Sequence, residues 1–113
     1  MNFMLLQNRS GKFVAPDDIT FAAAADGADW FSVPGMGLSI VDQKNPNAWP
    51  ISSASFIVMY RDPADKKASQ EVLKFFDWAF KNGRKDAADL DYVALPDSLT
   101  QQIRDRVWRQ IRH

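Results

Sequence analysis

The chain has 113 residues, 46% hydrophobic and 25% charged, with fourteen basic and fourteen acidic side chains and a formal net charge of zero. That balance is ordinary for a globular protein, and the length predicts one domain spanning residues 1–113 with a core of its own. Neutral charge gives no electrostatic reason to expect nucleic acid or anionic lipid as a partner, and the absence of cysteine excludes disulfides, thiolate metal sites and cysteine nucleophiles.

The N-terminal apolar run, Phe3-Met4-Leu5-Leu6, is far shorter than a signal-peptide core or a membrane span, so no signal peptide is read in this chain. "FMLLQ" and "KFVA" alternate as strands around the turn chemistry of "NRSG", predicting a hairpin. "PDDITFAAAADG" predicts a helix over about 16–26: proline suits the first turn, Asp17 and Asp18 complement the helix dipole, and Gly27 suits the position just past the end. From Ala28 to Pro50 the chain is punctuated by Pro34, Gly35, Gly37, Pro46 and Pro50, with "LSIVD" as one short strand inside it.

"SASFIVMYRD" is apolar on consecutive positions from Phe56 to Tyr60, the pattern of a long strand covered on both faces. A helix follows over about 64–82, stopped by Gly83. Val72, Phe76, Ala79 and Phe80 form its apolar stripe, while Phe75 and Trp78 turn further round than one stripe needs. If the Trp78 ring is buried, truncating it should cost about 3–5 kcal/mol. A short helical turn at about 86–90 leads to a last helix from about Pro96, where Leu99, Ile103, Val107 and Ile111 are spaced four apart with Trp108 beside them.

Catalytic chemistry has little to draw on. The single histidine, His113, is the last residue, so a Ser-His pair or a histidine metal cluster cannot be assembled in the usual way. Asp86, Asp89 and Asp91 lie in a short polar segment and read as solvated caps. Gly35 and Gly37 have a G-x-G spacing but lack the third glycine and the strand-turn-helix frame of a dinucleotide site, so they read as a turn. Arg104, Arg106, Arg109 and Arg112 read as a solvated basic face near a helix C-terminus, with no aromatic side chain among them. The three main helices open with aspartate, at Asp17 and Asp18, Asp65 and Asp97. Those carboxylates occupy or repel the place a bound anion would need.

Trp49-Pro50-Ile51, Lys74-Phe75-Phe76-Asp77-Trp78-Ala79, Gly83, Asp89-Leu90-Asp91-Tyr92 and Leu95-Pro96-Asp97-Ser98 occur in an order that resembles the C-terminal part of the PstS family. These are the periplasmic phosphate-binding proteins of high-affinity phosphate ABC importers. "GKFVAP" and "FAAAADGADW" extend the resemblance over about residues 5–108, which corresponds to about the last third of such proteins. The resemblance implies a mixed α+β fold, the C-terminal portion of a type II periplasmic-binding-protein fold, with three main helices, a hairpin and one long buried strand. It implies part of a periplasmic solute-binding protein that captures inorganic phosphate, without catalysis or cofactor, and docks on the importer's membrane subunits.

Family members hold phosphate with an early Gly/Ser/Thr loop and a mid-chain Ser-Gly-Thr motif with its arginine. Neither occurs here. Arg9-Ser10-Gly11 is a superficial match that lacks the threonine, so no catalytic, substrate-binding, cofactor-binding or metal residue is assigned. The alternative is a stand-alone structural or interaction module derived from such a protein that binds no phosphate. In the family the aromatic helix and the 56–59 strand pack against N-terminal segments. On that basis the isolated chain is expected to self-associate or to pair with the missing N-terminal portion.

Overall fold

A computed structural model describes residues 2–112; His113 lies outside the described residues. The chain is a mixture of helices with one small two-stranded sheet, and it divides after Ser55 into two compact units.

In the first unit, β1 (Leu6–Gln7) pairs antiparallel with β2 (Phe13–Val14), with Leu6 opposite Val14 and Gln7 opposite Phe13. The hairpin is therefore present, though each strand is shorter than the apolar pattern suggests. Gly11 has φ +84° in its turn, a conformation that glycine adopts without steric cost. The turn is held by Asn8, which is buried. Its side-chain oxygen accepts from the backbone N–H of Ser10 and of Lys12, each at 3.1 Å. Its amide donates to the carbonyls of Pro46 at 2.8 Å and Ala48 at 3.2 Å. One side chain thus ties the hairpin to a loop forty residues away.

α1 (Asp18–Asp26) begins two residues later than the expected start near Pro16, because Asp17 is the N-cap. Its carboxylate accepts from the Thr20 N–H at 2.9 Å, and the Thr20 hydroxyl accepts from the Asp17 N–H at 3.2 Å. This reciprocal pair satisfies two donors that the first turn leaves free. Gly27 ends the helix with φ −80°, so left-handed backbone is not why glycine is needed there. The reason is close approach: a Cβ at Gly27 would stand 2.9 Å from the Asn45 Cβ. Small residues serve the same end within α1, where Ala24 and Ala25 are buried.

Residues 28–50 are irregular, as their prolines and glycines predict, with short 3₁₀ turns at Trp30–Ser32 and Pro34–Met36. The expected strand at 38–42 does not form, although Ile40 is buried. Two tryptophans anchor this loop. Trp30 is buried and its indole N–H donates to the Ala25 carbonyl at 2.7 Å. Trp49 is buried with its ring 6.1 Å from that of Phe21, and its backbone N–H donates to the Thr20 carbonyl at 2.9 Å.

The second unit holds the largest departure from expectation. Residues 56–60 form no strand, and Phe56, Ile57, Val58 and Tyr60 are exposed, Val58 to 93%. A consecutive apolar run says that both faces need cover, but a strand also needs a ladder partner on at least one edge. Among the described residues the only ladder is the β1–β2 hairpin.

α2 (Lys66–Asn82) matches its prediction. Asp65 caps it by accepting from the Ala68 N–H at 2.9 Å, and Gly83 closes it with its N–H on the Ala79 carbonyl at 2.8 Å. α3 (Arg84–Asp89) follows directly. α4 (Asp97–Gln102) runs on through a π turn at Ile103–Val107 and a 3₁₀ turn at Trp108–Gln110. The π turn bears on the four-residue spacing of Leu99, Ile103, Val107 and Ile111. In an α-helix each such step overshoots by about 40°, so three steps would carry the stripe about 120° round the axis. A π turn takes more residues per turn and swings the stripe back. The Trp108 N–H bonds to the Ile103 carbonyl, five residues before it, and both Leu99 and Ile111 are buried.

Candidate functional site

Two cationic side chains of the second unit converge on Asp77, near the C-terminal end of α2. Lys81, one turn on, donates to its Oδ2 at 2.5 Å, and Arg104 donates from Nε to its Oδ1 at 2.6 Å. These two donors, Lys81 first, hold the Asp77 carboxyl below its usual pKa by stabilising the charged form. The Arg104 side chain is only 21% exposed. Its guanidinium carbon lies 5.7 Å from the centre of the Phe80 ring and 6.0 Å from that of Trp108, and those two rings stack on each other at 5.6 Å and 6°. Arg104 is therefore a paired cation over aromatic faces, which corrects its reading as part of a solvated basic face without aromatic neighbours. A planar guanidinium suits this place better than an ammonium because it stacks and donates at once.

Around this centre lies an open cleft of about 540 Å³ lined by Leu73, Lys74, Asp77, Trp78, Lys81, Asn82, Arg104 and Trp108. Trp78 is 54% exposed and Phe75 60%, so the wide aromatic arc of α2 is not covered within the unit. The two rings stack on each other at 6.5 Å and 26°, and Phe75 meets Phe76 edge-on at 5.3 Å. This exposure removes the condition on which Trp78 would carry a large share of stability.

The remaining candidates stay apart from one another. Arg109 pairs with Asp105 at 3.3 Å and Arg112 with Asp62 at 3.4 Å, both exposed, while Arg106 is exposed on the same helical stretch. Asp89 pairs with Lys85 at 2.5 Å, Asp97 with Arg84, and Asp91 has φ +60° just after α3. Gly35 (φ +69°) lies in a 3₁₀ turn with Gly37 just after it, and Arg9-Ser10-Gly11 sits in the hairpin turn. Asp17 and Asp65 use their carboxylates to cap their own helices. Among the described residues no group of three or more His, Cys, Asp or Glu side chains is arranged to hold a metal ion, and no helix is long and apolar enough to cross a membrane. The chemistry on offer is recognition by charge and aromatic surface.

Comparison with known proteins supplies a relationship. The chain is 42% identical over 98 residues to the phosphate-binding protein PstS of Pasteurella multocida, covering 87% of the chain and 28% of that protein. It is 38% identical over 104 residues to the Haemophilus influenzae PstS, covering 92% of the chain and 31% of the relative. The chain resembles the C-terminal part of PstS. The PstS of Xylella fastidiosa agrees, at 41% identity over 103 residues, 91% of the chain and 28% of the relative. The chain thus spans about three-tenths of the length of these PstS relatives. No family model matches it.

Proposed function

We propose that the chain is a framework portion of a periplasmic solute-binding protein that captures inorganic phosphate for an ABC importer. It would form the C-terminal part of a type II periplasmic-binding-protein fold and supply no phosphate ligand itself. The supporting observation is the pattern of similarity: nine-tenths of the chain matches PstS relatives, and it matches only three-tenths of them. The polar side chains agree with this reading. Asp17 and Asp65 cap the N-termini of their own helices, and Arg104, the least exposed cation among the ion pairs of the described residues, is already committed to Asp77.

In this reading the chain performs no catalysis. Phosphate and the importer's membrane subunits are partners of the assembled protein, with periplasmic location following from that role. The exposed apolar residues at 56–60 are the surface that the remaining portion would cover, with main-chain pairing supplying the missing ladder.

The test is titration calorimetry with inorganic phosphate on the chain alone and after mixing with the complementary N-terminal two-thirds of the Pasteurella multocida relative. The chain alone should give no saturable heat at near-millimolar phosphate, and the mixture should bind one phosphate per pair. Micromolar binding by the chain alone would place ligands within it, and a mixture that stays silent would refute the framework role.

A further inference from the structure

The cleft beside Asp77 carries more positive charge and aromatic surface than its own contacts use. Lys74, Lys81 and Arg104 line it with the one carboxylate of Asp77, and the indoles of Trp78 and Trp108 line it too. Lys74 and Lys81 are 70% and 63% exposed, and they lie seven residues apart on α2, about 10.5 Å along the axis. Lys74 pairs with Glu71, an exposed pair of the kind that contributes little.

The same unit presents a surface of opposite character. In the sequence Asp89-Leu90-Asp91-Tyr92, both aspartates are exposed, and Leu90 and Tyr92 are exposed to 70% and 63%. The backbone of this segment is already fixed. The Asp91 N–H bonds to the Ala88 carbonyl at 3.1 Å and the Tyr92 N–H to that of Ala87 at 2.8 Å. Little ordering entropy would be lost on docking it. Its Lys85–Asp89 ion pair is itself highly exposed and readily exchanged.

We infer that the cleft of one chain receives the 89–92 segment of a second copy. The two carboxylates meet Lys74 and Lys81, and Leu90 and Tyr92 cover the indoles. Each copy carries both halves, so a two-fold axis makes the contact twice and closes the assembly as a dimer. Charge complementarity selects this occupant: the cleft cations Lys74, Lys81 and Arg104 outnumber the carboxylates paired with them, Glu71 and Asp77, and the segment carries two carboxylates. The inference is independent of the phosphate reading.

The test uses the full chain in phosphate-free, low-salt buffer, so its outcome does not depend on phosphate binding. Light scattering at tens of micromolar should report a dimer that weakens as salt is raised. Lys74→Glu with Lys81→Glu makes the cleft acidic, and Asp89→Lys with Asp91→Lys makes the segment basic. Each double variant alone should lose at least tenfold in self-association. All four side chains are exposed, and unchanged circular dichroism checks that folding is intact. Mixing the two variants should restore a dimer, because each altered surface then meets its opposite. A monomeric wild type, variants that dimerise as well as the wild type, or a mixture that stays monomeric would overturn the inference. So would a monomeric wild type that binds an added acidic peptide, since the cleft would then serve a different partner.

Discussion

The unit ending at Ser55 is poor in regular structure yet holds most of the buried hydrophobic side chains, whereas the unit beginning at Phe56 is rich in helix yet holds few. In the first, Val14, Ala24, Ala25, Trp30, Ile40, Ala48 and Trp49 are buried; in the second the buried hydrophobic residues are Leu99 and Ile111. Long periodic helices and a dry core are therefore separable. Buried tryptophans, hydrogen-bonded polar groups and close backbone approach fix the loops of the first unit. The helices of the second satisfy their own backbone and leave Phe75, Trp78, Phe56, Ile57, Val58 and Tyr60 exposed.

If that contrast holds, truncating matched side chains in the two units should have unequal effects. Trp30→Ala should be the most damaging, at about 3–5 kcal/mol, because it removes a buried ring and leaves the Ala25 carbonyl without its indole donor. Urea denaturation followed by far-ultraviolet circular dichroism measures it, and a loss near zero would show that the first unit does not depend on its tryptophan anchors. Asn8→Ala should follow at about 1–3 kcal/mol, since it removes the amide donor of the Pro46 and Ala48 carbonyls and the acceptor of two turn N–H groups at once. If Asn8→Asp, which keeps the acceptor but not the amide donor, is as stable as the wild type, the long-range tie to residues 46–48 contributes nothing.

What the amino-acid pattern reveals follows the same division. α2 is legible because period, cap and stop agree: an apolar stripe, Asp65 before it and Gly83 after it. The hairpin is legible from its turn chemistry. The run at 56–60 shows a demand for cover on two faces, but no local pattern shows whether a ladder partner is at hand. Arg104 is misread for a related reason. Its own helix places it among arginines, while the carboxylate and ring that hold it, Asp77 and Phe80, come from α2. Asn8 reads as turn chemistry, and its partners at Pro46 and Ala48 lie too far along the chain to be inferred. Relationship to PstS is legible from residue order; the cleft, which depends on tertiary packing, is not.

Trp78→Ala provides the counterpart to Trp30→Ala. In melts dilute enough to keep the chain monomeric, a ring more than half exposed should cost no more than about 1 kcal/mol, through its stacking on Phe75 and lost apolar contact. A loss approaching that of Trp30→Ala would mean that Trp78 is covered in solution, and concentration dependence of the melt would identify a second copy as the cover.

The smallest effect should come from Asp77, and it should depend on pH. Lys81 and Arg104 lower its pKa in the folded chain, so its charged form is favoured there relative to the unfolded chain, where an aspartate titrates at about 3.9. The sign follows from linkage: the stabilisation is fully present above that unfolded value and is lost as pH falls through the lower folded one. Asp77→Asn should thus be less stable than the wild type at about pH 7, by under about 1 kcal/mol because the carboxylate remains partly exposed. The gap should narrow below about pH 4 as the wild-type carboxyl protonates. Paired urea melts across that range decide the matter. A gap that stays constant into strong acid would show that the side chain acts by shape and neutral hydrogen bonding, and that its charge does not hold α2 to the stretch carrying Arg104.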